Sequence, residues 1–135
     1  MKTRLAVALV LALGVAIVPL FAAQKPELKE DVPPYDVAAE AKYKATVEEI
    51  KDRECPISGG VGAHLMVKLD GKIYEVHVGP AKFVKSYDAI FQKGDAIEIT
   101  GTKIKFQGGD AILVRQISRG PDDFVFRDPK GKPIW

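Results

Sequence analysis

The chain has 135 residues, 47% of them hydrophobic, with 20 Lys and Arg against 18 Asp and Glu. That length suits one domain, and once Lys2 and Arg4 of the N-terminal segment are set aside the two signs balance, which excludes the broad positive field that grips phosphate backbones. The single cysteine, Cys55, excludes an intramolecular disulfide, so the core must come from packing, and the thiol is either buried or open to an intermolecular bridge.

Met1 to Arg4 is basic, Leu5 to Phe21 is apolar without a charge, and Ala22 and Ala23 are small. Basic, apolar and small in that order reads as a secretory signal peptide over residues 1–23, cut after Ala22 or Ala23. The alternative is an uncleaved anchor, but a span needs about 20 apolar residues and Pro19 interrupts this run. The expected location is periplasmic or secreted, with membrane contact only through this segment if it is retained. Residues 24–34 (QKPELKEDVPP) are charged and hold three prolines, the composition of a linker. The domain then occupies residues 35–135.

Tyr35 to Lys42 reads as a short turn or helix. Tyr43 to Asp52 alternates at period two and predicts a first strand. Glu54 to Gly62 (ECPISGGVG) reads as a mobile loop. Ala63 to Leu69 and Lys72 to Val78 are two strands joined by Asp70-Gly71, a strong signal for a two-residue hairpin turn because both positions need positive φ. Gly79-Pro80 stops the ladder. A helix is predicted from Pro80 to Gln92, with Phe83, Tyr87, Ile90 and Phe91 on one stripe and Gly94 as its stop. The fourth strand, Asp95 to Phe106, changes phase across Gly101, which predicts a bulge. Gly108-Gly109 turns into a fifth strand, Ala111 to Ser118. Phe124 to Trp135 reads as a small terminal hairpin.

Three strands, a helix and two strands is the order of the OB-fold, a mainly β, five-stranded Greek-key barrel with its helix between strands three and four. Particular residues carry a further resemblance: Tyr35-Asp36, Glu40 and Thr46-Val47; Val76-His77-Val78-Gly79-Pro80; Gly94-Asp95 before Ile97-Glu98-Ile99-Thr100-Gly101; and Arg127-Asp128, Gly131, Pro133 and Trp135 at the end. In these the chain resembles small exported bacterial OB-fold proteins, uncharacterised periplasmic members included, over Tyr35 to Trp135. The resemblance implies an exported binding module with no assigned enzyme reaction. Ala45 stands where such proteins often carry glycine.

The hairpin turn fixes a register. If Leu69 faces Lys72, then Met66 faces Glu75 and His64 faces His77, and alternation puts Leu65, Val67, Tyr74, Val76 and Val78 on the opposite, core face. The chain's two histidines thus stand opposite each other on the outer face, with Cβ atoms about 5 Å apart. Imidazole suits copper or zinc and a thioether favours Cu(I), so His64, His77, Met66 and Glu75 are candidate metal ligands. Against this, metal sites usually need three or four donors, and the same pair on a solvated or partner-covered face needs no metal. Two opposed imidazoles would also repel when charged, loosening the hairpin at low pH.

Ser58 to Gly62 is glycine-rich but lacks the Lys-Ser/Thr ending of a phosphate-binding loop. There is no CxxC, HExxH or G-x-S-x-G; catalysis would need Cys55 beside His64 or His77 and a third, orienting group. Nucleic-acid binding by this fold needs outward aromatics on strands two and three, where the expected outer face offers none. The expectation is a non-enzymatic binding module for an unknown protein or small ligand. A copper- or zinc-binding protein is the first alternative and a single-stranded nucleic-acid binder the second.

Overall fold

The computed structural model describes residues 32–135. The expected signal peptide and most of the linker lie outside the described residues. Among the described residues no helix is long and apolar enough to cross a membrane.

A 3-10 turn at Val37–Ala39 opens the domain, with the Asp36 side chain accepting from the Ala38 N–H. The strands are β1 (Ala41–Cys55), β2 (Gly60–Leu69), β3 (Lys72–Pro80), β4 (Ala96–Phe106), β5 (Gly109–Arg119) and β6 (Asp122–Val125), with one helix, α1 (Ala81–Ser86), between β3 and β4. They form one sheet in the order β3-β2-β1-β4-β5-β6, and a parallel pairing of β3 with β5 closes the first five into a ring; the other pairings are antiparallel. Leu65, Val67, Val76, Val78, Ile99 and Ile112 belong to the apolar core within that ring.

The β2–β3 hairpin follows the predicted register, with His64 opposite His77, Met66 opposite Glu75 and Leu69 opposite Lys72. Its turn residues, Asp70 and Gly71, have φ of 51° and 77°, which only a turn-tolerant pair holds without strain. A bulge is present beside Gly101 but not in the strand expected: Thr100 pairs with Gln116 and Gly101 with Val114, so the extra residue is Arg115 on β5 and β4 runs through Gly101 without one. A Cβ at Gly101 would collide with the Leu113 carbonyl oxygen, so the close approach of the two strands there requires glycine.

Four expectations need correction. The loop over residues 54–62 is mostly strand: β1 runs to Cys55, β2 starts at Gly60, and only residues 56–59 turn. The helix spans six residues, not thirteen. Asp88 adopts φ of 52° and ends it, which brings Ala89 and Phe91 into the core while Tyr87 and Ile90 stay exposed. The turn before β5 uses Gln107 and Gly108, both at positive φ, and Gly109 already pairs with Phe106. Finally, residues 122–125 form a sixth strand on β5, where the Phe124 ring meets Phe91; beyond it the expected hairpin is a single bridge, Arg127 to Pro133.

Candidate metal centre

The face of β2 and β3 turned away from the core is exposed near the hairpin turn, at Lys68 and Ile73, but buried around the histidines. His64 is fully enclosed, and Cys55 and His77 are 2% and 3% exposed. The solvated face expected for the histidines is therefore corrected, for two physical reasons. The first is a bulge in β1. The β1–β2 register shifts between Val47 and Glu49, so Glu48 is the extra residue and the strand changes phase. Before it, Ala45 and Val47 point into the core; after it Lys51, Arg53 and Cys55 share the side of His64. Without that bulge Cys55 would face inward.

The second reason is a curl. Lys51 pairs with His64, and Cys55 is four residues further, about 13 Å along a flat strand. Yet Cys55 Sγ lies 3.5 Å from His77 Nδ1. The tip of the β1–β2 hairpin must bend back over the outer face, and a Cβ on Gly62 would strike the Ser58 side chain of that tip. Phe106 closes another side, its ring 5.3 Å from His77 and edge-on. Leu113 of β5, buried and paired with His77, lies alongside.

Within this enclosure the His64 and His77 rings meet edge-on at 4.7 Å between centroids. One donor atom from each of Cys55, His64 and His77 lies within 4.8 Å of the others. Both His64 ring nitrogens and His77 Nε2 are buried without a hydrogen-bond partner. The backbone of Lys51 and Gly62 faces the His64 ring and weakly favours its charged form, but outside hydrogen-bond geometry. Burial, reinforced by the Arg53 charge, lowers the His64 pKa. Burial, followed by His64, pushes His77 down to about 4. Both rings are thus neutral at pH 7, the state in which imidazole ligates metals.

The other two candidates stand apart from this trio. Arg53 donates to Glu75 Oε1 from Nε at 2.9 Å and also from Nη2. Burial opposes the Glu75 charge, but the Arg53 hydrogen bond and the two imidazoles hold its pKa below the usual carboxylate range. Its other oxygen, Oε2, is 4.0 Å from His77 Nε2. Glu75 therefore sits behind His77, opposite the nitrogen that faces Cys55 and just beyond hydrogen-bond reach of Nε2, on the side from which a carboxylate orients a ligating ring. Met66 is half-buried on the same strand face, opposite Glu75. Trp135 lies away from the trio, against Gly79, Phe83 and Arg127.

Cys55 is the donor that the sequence did not offer as a ligand. Its position beside His77 depends on the Glu48 bulge and the curled tip, and neither leaves a local signal beyond Cys55 preceding the β2 histidine. No curated protein matches the chain. A sequence profile does match, over residues 40–124, which is more than half of the chain and spans β2, β3 and the three clustered side chains. The match leaves out Tyr35 and the C-terminal residues that suggested periplasmic OB-fold proteins. On that match the chain belongs to the MamS/MamX magnetosome protein family.

Proposed function

We propose that this protein is an exported, non-enzymatic module of the OB type that binds a transition-metal ion, copper or zinc, through Cys55, His64 and His77. The closed ring with a parallel β3–β5 contact, the helix between β3 and β4 and the β5 bulge at Arg115, opposite Gly101, support the OB reading, since a small barrel needs such a bend to close. The basic–apolar–small order of residues 1–23 supports export. The observation that carries the metal reading is the convergence of one sulfur and two imidazoles on one enclosed point, where the buried His64 ring has no hydrogen-bond partner. Buried polar atoms are rarely left so without a use. Cys55 Sγ and His77 Nδ1 are already in hydrogen-bond contact at 3.5 Å, and an ion would take the place of the proton between them, with His64 drawn in from within 4.8 Å.

Two rival readings have less support. A Cys55–His77 nucleophile with Glu75 behind it has the residues of a triad, but a thiol 2% exposed offers a substrate no approach while the hairpin tip is in place. Single-stranded nucleic acid needs open ring faces to stack on. The half-buried Tyr43 and Tyr74 carry Lys103 over their rings, and Tyr74 carries Lys72 as well. Metal titration of the full chain tests the proposal. One equivalent of copper or zinc bound by the wild type, and none by His64→Ala/His77→Ala, is the expected result. A wild type that takes up neither ion in stoichiometric amount contradicts it.

A further inference from the structure

We infer that the ion held at this site is monovalent copper. The inference rests on the reading of Cys55, His64 and His77 as a metal centre and identifies its occupant. Donor number comes first. The cluster contains three side chains, with no fourth His, Cys, Asp or Glu among the described residues completing it. Structural zinc takes four protein ligands, and catalytic zinc takes three and keeps an open position for water. This site has neither the fourth ligand nor the opening, because its three residues are at most 3% exposed. Glu75 is not a substitute, since Arg53 holds one of its oxygens.

Charge gives the same answer. A thiolate and Cu(I) together are neutral, whereas a thiolate with Zn(II) or Cu(II) leaves one positive charge in the enclosure. An uncompensated buried charge is costly. The nearest carboxylate is already neutralised, because Glu75 is paired with Arg53. The walls beside the site, Phe106 and Leu113, offer no charge. Ligand chemistry agrees: a soft thiolate selects Cu(I), and imidazole accepts it. Low coordination number, enclosure, neutrality and softness each favour the monovalent ion over zinc.

The test is a pair of competition titrations on the full chain under anaerobic, reducing conditions, with bicinchoninate competing for Cu(I) and a chromophoric chelator competing for Zn(II). The expected result is one Cu(I) per chain, bound about a hundredfold or more tightly than Zn(II). Cys55→Ser, which replaces soft sulfur with hard oxygen, should lose most of that preference. If that variant fails to fold by circular dichroism, His64→Leu takes its place and should lose one donor's share of Cu(I) affinity. Zinc binding as tight as or tighter than Cu(I) overturns the copper assignment and leaves the metal centre standing. Binding of neither ion removes the metal centre as well.

Discussion

At the end of the β2–β3 hairpin away from its turn, both faces are buried, and they are chemically opposite. On the inner face Leu65, Val67, Val76 and Val78 pack in the apolar core. On the outer face, one residue along each strand, His64 and His77 meet Cys55, and three ring nitrogens lack partners. Leaving a buried polar atom unsatisfied costs about 1–3 kcal/mol, so the outer face is a liability that the inner face is not. Burial alone therefore does not make a core. The proposed metal ion would satisfy part of what this closed face leaves open.

That contrast can be broken by substitution. Leu65→Ala on the inner face should destabilise the fold by about 2–5 kcal/mol in urea denaturation, through lost burial and a cavity. His64→Leu, at the adjacent residue on the outer face, should leave metal-free stability within about 1 kcal/mol of wild type or raise it, because it removes two partnerless nitrogens. Equal losses from both would erase the distinction. Metal sharpens it. Copper or zinc at about 100 times its dissociation constant should add about 2.7 kcal/mol to wild-type stability and clearly less to His64→Leu at the same concentration, as read from the thermal midpoint.

Acid should act on the outer face alone. The unfolded chain protonates a histidine near pH 6.5, whereas folded His77 resists protonation until about pH 4. Metal-free stability from this group is full above about pH 6.5 and is lost as pH falls towards about 4. His64 is shifted in the same direction, and Glu75, held below its usual range, adds a loss at the acid end. Urea midpoints that do not change between pH 7 and pH 5 would contradict this. The smallest effect concerns orientation. Glu75→Gln should weaken metal binding about tenfold with little change in the thermal midpoint; an unchanged affinity would remove Glu75 from its positioning role.

The register was legible because Asp70-Gly71 is a strong local signal and because alternation carries it to His64 and His77 without interruption. A bulge near Gly101 was legible in position, although its extra residue is Arg115 of β5 rather than a residue of β4. The burial of the histidines was not. It depends on β1, where Glu48 inserts without a glycine to mark it, and on Cys-Pro-Ile-Ser-Gly-Gly, whose composition reads as a long loop although only residues 56–59 turn. The helix was overextended because Tyr87 and Ile90 fit an apolar stripe; the chain leaves the helix at Asp88 to bury Phe91 against Phe124 instead. In each case local pattern gave the element, and a contact distant in sequence decided where it ended.

X-ray absorption at the edge of the bound metal tests the centre most directly. The account predicts one sulfur at about 2.3 Å and two imidazole nitrogens at about 2.0 Å per ion, with the sulfur shell vanishing in Cys55→Ser. A first shell of oxygen and nitrogen alone in the wild type would contradict it.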